Sequence, residues 1–245
     1  IDASTKPYSN QKLLDCFPTG INYGDMVVNS VMVNNANANY EMVGEDLNVL
    51  RIRFTEELFP KEKVEITIEF ELWLANCTHR LGYNDNTVNL GNWYPIVAIY
   101  ENGEFVTHPY YSNGDPFYSE CANYKVSISY SSNYTLASSG EKVASEVDGG
   151  VITDVYEAIA VRDFAMCLAT DYEVVSGEVD GIDVSVFSYK DDNQKEIYLQ
   201  TALNAVGLFN DLFGVYPYKS LSVAFTNFFQ GGMEYPGLVY ISDSV

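Results

Sequence analysis

The amino-acid sequence predicts a mainly β protein with a sandwich-like or saddle-like antiparallel domain over residues 1–190. A shorter region with a helix and strands is predicted over residues 191–245. Three observations support this prediction. Many short segments before residue 190 alternate apolar and polar residues, turn-forming pairs separate these segments, and a long helical period occurs only after residue 190.

The composition is that of a folded protein with an acidic surface. Hydrophobic residues make up 47% of the 245 residues, which is enough for a sizeable core, and charged residues make up only 19%, which argues against disorder. The formal net charge of −21 would repel nucleic acid and anionic membranes, so neither is an expected partner. Solubility explains this charge, with attraction of a positively charged small ligand as the alternative.

The clearest predicted strand spans residues 64–74. Val64, Phe70 and Leu74 are among the apolar residues on one face, and glutamates occupy most of the other face. Shorter runs predict further strands over residues 27–33, 47–54, 126–130, 151–156, 161–169 and 184–189. Turn signals separate these runs at residues 102–103, 113–116, 148–150 and 180–181.

A helix is predicted over residues 194–213. Residues 191–194 (DDNQ) offer N-cap side chains and early negative charge, and Gly214 and Pro217 end the helical pattern. One apolar stripe is formed by Leu199, Ala202, Leu203, Val206, Phe209 and Phe213. Extended segments over 221–225 and 232–241 follow, and this region is too short to bury a normal core by itself. We therefore expect an incomplete domain packed on the first one.

The four cysteines, Cys16, Cys77, Cys121 and Cys167, contain no CxxC pair, which excludes a zinc knuckle. They are interpreted as buried thiols, with one or two long-range disulfides as the alternative. No apolar run is long enough to cross a membrane. The acidic, Asn- and Tyr-rich composition favours an extracellular or cell-envelope setting over a cytoplasmic one.

The chain shows no complete catalytic motif. Zinc peptidases of the HExxH type need two histidines one helical turn apart, whereas His79 and His108 are distant and are interpreted as structural or surface residues. Nucleophile-elbow, P-loop and dinucleotide-binding motifs are also missing. We therefore predict no catalytic residue and no metal ligand in this chain. The acidic clusters at 84–86 and 191–192 are interpreted as turns and caps rather than calcium sites.

The candidate binding residues form one short segment, Gly231, Gly232, Met233, Glu234 and Tyr235. Two glycines leave backbone N–H and C=O groups uncovered, so that a peptide can pair with this strand as an added β-strand. The Glu234 carboxylate can then accept hydrogen bonds from a peptide's N-terminal ammonium group. Alternatively, the glycines form a bulge and Glu234 is a solvated edge residue.

This segment resembles the GxMEN signature of the alanyl aminopeptidase (aminopeptidase N) family of zinc metallopeptidases, peptidase family M-one. Tyr235 stands where the family usually has asparagine. Further resemblances occur in the same order along the chain, in residues 91–96 (GNWYPI), 114–120 (GDPFYSE), 161–165 (VRDFA, a strand in the resemblance) and 213–218 (FGVYPY). The resemblance therefore covers nearly the whole sequence.

The resemblance implies a saddle-like β-domain followed by the truncated start of a thermolysin-like α+β catalytic domain, ending before HExxH. It implies an aminopeptidase that removes N-terminal residues from peptides, with zinc bound in the full-length protein but not by this chain. Glu234 would anchor the peptide's N-terminus, and the rest of the catalytic domain would be the partner. This fragment alone is expected to be inactive.

Two other functions stay open at this stage. One is a non-catalytic β-sandwich module that binds peptide or carbohydrate, and the other is a scaffold relative that has lost the zinc site. Asn92, Trp93 and Tyr94 have two interpretations as well, since they either line the first substrate pocket or pack in a core.

Overall fold

The computed structural model describes residues 16–108, 119–229 and 231–243. Within these residues, nineteen strands and one helix have defined bounds, which confirms the predicted mainly β fold class. The chain forms two compact units. Of the described residues, the first unit comprises 23–74, 96–108 and 119, and the second comprises 16–22, 75–95, 120–229 and 231–243.

The first unit is built from short antiparallel sheets. They are a three-stranded sheet in the order β2 (Ala36–Asn37), β1 (Asp25–Val33) and β5 (Ile66–Trp73), and two hairpins, β3 (Asn39–Val43) with β4 (Val49–Arg53) and β8 (Tyr100–Glu101) with β9 (Glu104–Phe105).

The alternation predicted for residues 64–74 is present in β5. Ile68, Phe70 and Leu72 are half-buried and the intervening residues are exposed, as a strand with one face toward a core requires. Ile66 and Trp73 are exposed at the two ends of the strand. Val64 and Leu74 are half-buried as well, and Trp73 lies on the outward face, so Ile66 is the one predicted inward residue that is exposed.

The second unit contains three larger sheets. The first has the order β10 (Ala122–Ser131), β13 (Val151–Val161), β12 (Glu141–Asp148), and the second has the order β11 (Thr135–Ser138), β14 (Met166–Ala169), β7 (Thr87–Leu90), β6 (Leu81–Tyr83). The third has the order β15 (Tyr172–Val179), β16 (Ile182–Tyr189), β17 (Ser220–Thr226), β19 (Leu238–Ser242), β18 (Gly232–Tyr235).

Three of the predicted turns connect hairpins. Asn102 with Gly103, Gly149 with Gly150, and Asp180 with Gly181 all have positive φ angles at the hairpin positions, as tight two-residue turns between antiparallel strands require. The turn predicted at 113–116 and most of the 114–120 segment lie outside the described residues.

The five-stranded sheet is mixed. β16, β17 and β19 are parallel, and the antiparallel strands β15 and β18 form its two edges. Helix α1 (Lys195–Phe213) connects β16 to β17 and packs on β15 and β16. One face of the sheet contributes to a core with Tyr172, Ala224 and Tyr240, and the other buries Val184 against the helix.

The predicted helix is confirmed, but two residues of its predicted apolar stripe are not buried. Leu199 and Val206 are buried, whereas Phe209 and Phe213 are 54% and 80% exposed. The reason is geometric. A side chain at Gly207 would lie against Val179, the last residue of β15, so the final turns of the helix have little sheet beneath them.

The helix starts at the predicted cap segment, residues 191–194, but without the expected side-chain capping bond. Gln194 occupies the N-cap position without a side-chain capping bond, and Asp192 instead accepts a hydrogen bond from the Gln194 N–H at 2.8 Å. Gly214 ends the helix with a φ angle of 103°, as its position in the sequence predicts.

Two predicted strands have different bounds in the structure. Residues 162–165 connect β13 to β14 rather than continuing a strand, because the Asp163 carboxylate is held by side chains from the 91–96 segment. The extended piece predicted over 232–241 is a hairpin, since Gly237 has a φ angle of 77° and reverses the chain. The boundary at residue 190 stays a prediction, and the five-stranded sheet takes strands from both sides of it.

Candidate functional site

The GGMEY segment forms the edge of the five-stranded sheet. Gly232–Tyr235 is strand β18, which pairs antiparallel with β19 and has no other neighbour among the described strands. The structure thus brings four of the five predicted binding residues onto one edge strand, with Gly231 directly before it.

The hydrogen-bond pattern of this hairpin shows which backbone groups face outward. The Ser242 N–H donates to the Gly231 carbonyl at 3.1 Å, so these two residues form a hydrogen-bonded pair. Hydrogen-bonded and non-hydrogen-bonded pairs alternate along an antiparallel ladder. The next hydrogen-bonded pair is therefore Met233 with Tyr240, so the backbone N–H and C=O of Met233 face β19. The N–H and C=O groups of Gly232 and Glu234 therefore point toward the open edge.

The side chains of β18 alternate between the two faces of the sheet. Met233 and Tyr235 pack in the core cluster that contains Tyr240. Gly232 and Glu234 lie on the opposite face and are exposed. No described residue forms an ion pair or a hydrogen bond with the Glu234 carboxylate. Glu234 is therefore available to a ligand that approaches the open edge.

Tyr235 has a structural role that the sequence did not indicate. It is only 4% exposed, and its ring packs edge-on against Tyr240 with centroids 5.2 Å apart. Its hydroxyl lies over Gly91, where an added Cβ atom would be 2.0 Å from the Tyr235 oxygen. The large Tyr235 side chain is thus accommodated by the glycine at position 91.

The GNWYPI and VRDFA segments meet at Asp163. The Asn92 side-chain amide and the Tyr94 hydroxyl donate to its carboxylate at 2.8 and 3.0 Å, and the Phe164 N–H donates at 2.7 Å. The Trp93 indole N–H donates to the Phe164 carbonyl at 3.0 Å. Of the two interpretations of these aromatic residues, core packing is the one that the structure shows.

Asp163 is 6% exposed. Burial raises its pKa above the usual value, and the three hydrogen bonds, from Phe164, Tyr94 and Asn92, oppose this increase. The group therefore joins two loops rather than offering a charge to a ligand. We name the set of Asn92, Tyr94 and Asp163 the Asp163 junction.

Asn89 is a second buried polar residue that sequence analysis missed. Its amide donates to the carbonyls of His79 and Asn227, and its oxygen accepts from Thr226 at 2.7 Å and from Cys167 at 3.2 Å. It is 2% exposed. Asn89 thus connects β7 and β14 of the four-stranded sheet to the end of β17 in the five-stranded sheet. Nothing in the sequence of β7 distinguishes Asn89 from an ordinary polar residue.

The histidines agree with the structural interpretation. His79 stacks on Phe229 with ring centroids 5.2 Å apart, and burial, assisted by Arg80, lowers its pKa to about 4. His108 is exposed. Within residues 16–108, 119–229 and 231–243, no group of three or more His, Cys, Asp or Glu side chains could hold a metal ion.

An acidic cleft of about 470 Å³ lies at the carboxyl ends of β16, β17 and β19. Its lining includes four aspartates, Asp85, Asp171, Asp191 and Asp243. The Asn84 side chain accepts hydrogen bonds from the Asn86 and Thr87 N–H groups at 3.0 and 2.9 Å, which confirms the interpretation of residues 84–86 as a turn. Glu234 does not line this cleft.

Solved structures share this architecture. The M1 zinc metallopeptidase from Deinococcus radiodurans superimposes with a TM-score of 0.61 at 14% identity, covering 88% of this chain and 50% of that chain. A mutant of that enzyme bound to a Tyr-Ser-Ala substrate gives a TM-score of 0.62 at 14% identity, covering 89% and 51%.

The chain has an M1-like fold. It spans about half the length of these solved chains. No protein-family model matches the sequence, and no curated protein matches it either. In the part of the chain that the structure describes, no helix is both long and apolar enough to span a membrane.

Proposed function

We propose that this chain is the substrate-recognition portion of a zinc metalloaminopeptidase. In this proposal, β18 binds the backbone of a peptide substrate, and Glu234 binds the peptide's N-terminal ammonium group. The observation that carries the proposal is the exposed Glu234 on an open sheet edge, in a fold that resembles M1 zinc metallopeptidases.

Strand addition is the first part of the mechanism. The outward N–H and C=O groups of Gly232 and Glu234 lack a neighbouring strand among the described residues. An extended peptide can satisfy them with main-chain hydrogen bonds, which bind any sequence in one fixed register. Gly232 adds no side chain that would obstruct this approach.

Amine recognition is the second part. A carboxylate that accepts charge-assisted hydrogen bonds from an ammonium group contributes roughly 1.5 to 3 kcal/mol. A peptide held by its first residue presents its first peptide bond at a fixed distance from Glu234. The anchor therefore selects removal of single N-terminal residues over internal cleavage.

Zinc would polarise the scissile carbonyl and activate a water molecule in such an enzyme. The described residues do not supply a ligand set for it. We therefore assign no hydrolytic step to a residue of this chain. Its proposed contribution is to bind and orient the peptide for the rest of a catalytic domain.

Steady-state hydrolysis of aminoacyl nitroanilides by the full-length gene product tests the proposal. Replacing Glu234 with Gln should lower kcat/KM by roughly 10- to 150-fold, the kinetic equivalent of the lost ammonium contact. Glu178→Gln is the matched control, because Glu178 is an exposed residue on β15 at the opposite edge of the same sheet. Equal kcat/KM in both variants would contradict the amine anchor.

A further inference from the structure

Residues 16–22 lie alongside residues 76–78 in the second unit, held by hydrogen bonds at both ends of the contact. The Thr78 N–H donates to the Cys16 carbonyl at 2.8 Å. At the other end, Asn22 and Asn76 exchange two bonds, from the Asn76 N–H to the Asn22 side chain at 2.7 Å and from the Asn22 amide to the Asn76 carbonyl at 2.9 Å. These bonds hold residues 16–22 against residues 76–78.

This contact brings Cys16 close to Cys77. The Cys16 carbonyl accepts its hydrogen bond from Thr78, the residue that directly follows Cys77. A disulfide needs α-carbons about 4.4 to 6.8 Å apart. Cys16 and Cys77 are also in one buried cluster with Phe17, at 6% and 3% exposure. The shared buried cluster and the backbone bond to the adjacent Thr78 therefore make these two cysteines neighbours in the fold.

The other two cysteines lie in different surroundings. Cys167 is fully buried in β14, where its thiol contacts Asn89 and the Tyr172 hydroxyl. Cys121 is exposed at the start of β10. All four cysteines are thiols in the structure. The geometry therefore singles out one pair.

We propose that Cys16 and Cys77 form a disulfide when the protein folds in the presence of a disulfide oxidant such as oxidised glutathione. One cysteine thiolate attacks a sulfur of the oxidant and releases one glutathione thiolate. The second cysteine then attacks the mixed disulfide at the protein sulfur and releases the other glutathione. Two protein thiols are oxidised to one disulfide, and one glutathione disulfide is reduced to two thiols.

Burial determines whether the two thiols react before or after the protein has folded. It raises the pKa of the Cys77 thiol, which reduces the thiolate fraction in the folded protein. The Leu81 carbonyl also accepts the Cys77 S–H at 3.4 Å, and a side chain at Gly82 would collide with the sulfur. The bridge should therefore form during folding and resist reduction afterwards.

The bridge would stabilise the native state through the chain that it closes. It joins residues 16 and 77, so it restricts a loop of about sixty residues in the unfolded ensemble. Such a crosslink suits the oxidising extracellular setting that the composition favours, where disulfides persist. Neither the fold resemblance nor the proposed peptide site requires it.

Thiol counting and peptide mapping test the proposal. The protein is refolded with oxidised glutathione or with dithiothreitol, denatured, alkylated with a maleimide and digested with trypsin without reduction. Oxidised wild type should retain two of its four thiols and yield residues 13–51 linked to residues 64–80, lighter by two hydrogens. Its Tm should exceed that of the reduced form by roughly 5 to 10 °C.

Three single variants control the experiment. Cys16→Ser and Cys77→Ser should show no linked peptide and no Tm difference between the two refolding conditions. Cys121→Ser should behave as the wild type, because Cys121 is outside the pair. Four reactive thiols after oxidative refolding, a link that contains Cys121, or glutathione adducts alone would each overturn the proposal.

Discussion

Two carboxylates in the second unit, Glu234 and Asp163, lie in opposite environments. Glu234 is exposed on the edge strand β18 and bonds to no described residue. Asp163 is 6% exposed and accepts hydrogen bonds from two side chains and one backbone N–H.

The difference separates recognition from support. A carboxylate whose hydrogen bonds are all satisfied inside the protein has little left for a ligand, whereas an exposed one retains its full capacity. Substitution of Asp163 should therefore change folding stability, and substitution of Glu234 should change ligand discrimination. The following predictions test this division, beginning with the largest effect.

Replacing Asp163 with Ala should lower the free energy of unfolding by about 3 to 5 kcal/mol, because three buried donors lose their acceptor. Asp163→Asn retains an acceptor oxygen and should cost less than half as much. Urea denaturation followed by circular dichroism measures both variants. A loss below about 1 kcal/mol for Asp163→Ala would show that the Asp163 junction does not support the fold.

Replacing Gly91 with Ala should cost about 1 to 3 kcal/mol, since the added Cβ would meet the Tyr235 hydroxyl at 2.0 Å. Gly231→Ala is the matched control, because nothing lies within 4 Å of an added Cβ at that position. Adding Tyr235→Phe to the Gly91→Ala variant should recover part of the loss. A double-mutant cycle of unfolding free energies measures this coupling, and additive losses would contradict the contact.

The pH dependence of stability should have opposite signs at two buried aspartates. Burial acts to raise the pKa of Asp154, but hydrogen bonds, including one from Tyr130 at 2.7 Å, and the Lys142 ammonium lower it overall. Asp154 therefore stabilises the fold above the usual Asp pKa near 3.8, and this contribution disappears as the pH falls through the lower, folded-state pKa. Asp163 has a raised pKa, so its protonation favours the folded state as the pH falls toward 3.8.

Unfolding free energies measured between pH 3 and pH 7 test these signs. As the pH falls, wild type should gain stability relative to the Asp163→Asn variant. Over the same range, wild type should lose stability relative to the Asp154→Asn variant. If the stability difference between wild type and variant changed in the same direction with pH for both residues, the assignment of the two environments would be wrong.

The smallest effect on stability is expected at the proposed ligand site. Glu234→Gln should change the free energy of unfolding by less than about 0.5 kcal/mol, because the side chain is exposed and has no described partner. Thermal denaturation compared with the Glu178→Gln control checks this. A larger loss would mean that Glu234 is a structural residue.

Local patterns in the sequence were sufficient for much of the fold. Alternating residues predicted β5, paired turn residues predicted the hairpin at Asp180 and Gly181, and apolar spacing predicted helix α1. These features depend on residues close together in the chain. Phe213 was misassigned because its burial depends on the length of β15, which is set by another segment.

The candidate site was predictable only in part. The glycines and Glu234 were recognised because exposed backbone and a free carboxylate are properties of a short segment. The contact between Gly91 and Tyr235 and the donors around Asp163 join residues that are far apart in sequence. Single-sequence reasoning contains no signal for such pairs, since neither residue is unusual in its own segment.

The most direct test of the account is a comparison of two tripeptides that differ only in the N-terminal amine, one free and one acetylated. The dissociation constants of both are measured for wild type and for Glu234→Gln. The account predicts that wild type binds the free amine roughly 10- to 150-fold more tightly and that Glu234→Gln removes this preference. Equal preference in the two proteins would contradict the role of Glu234 as the amine anchor.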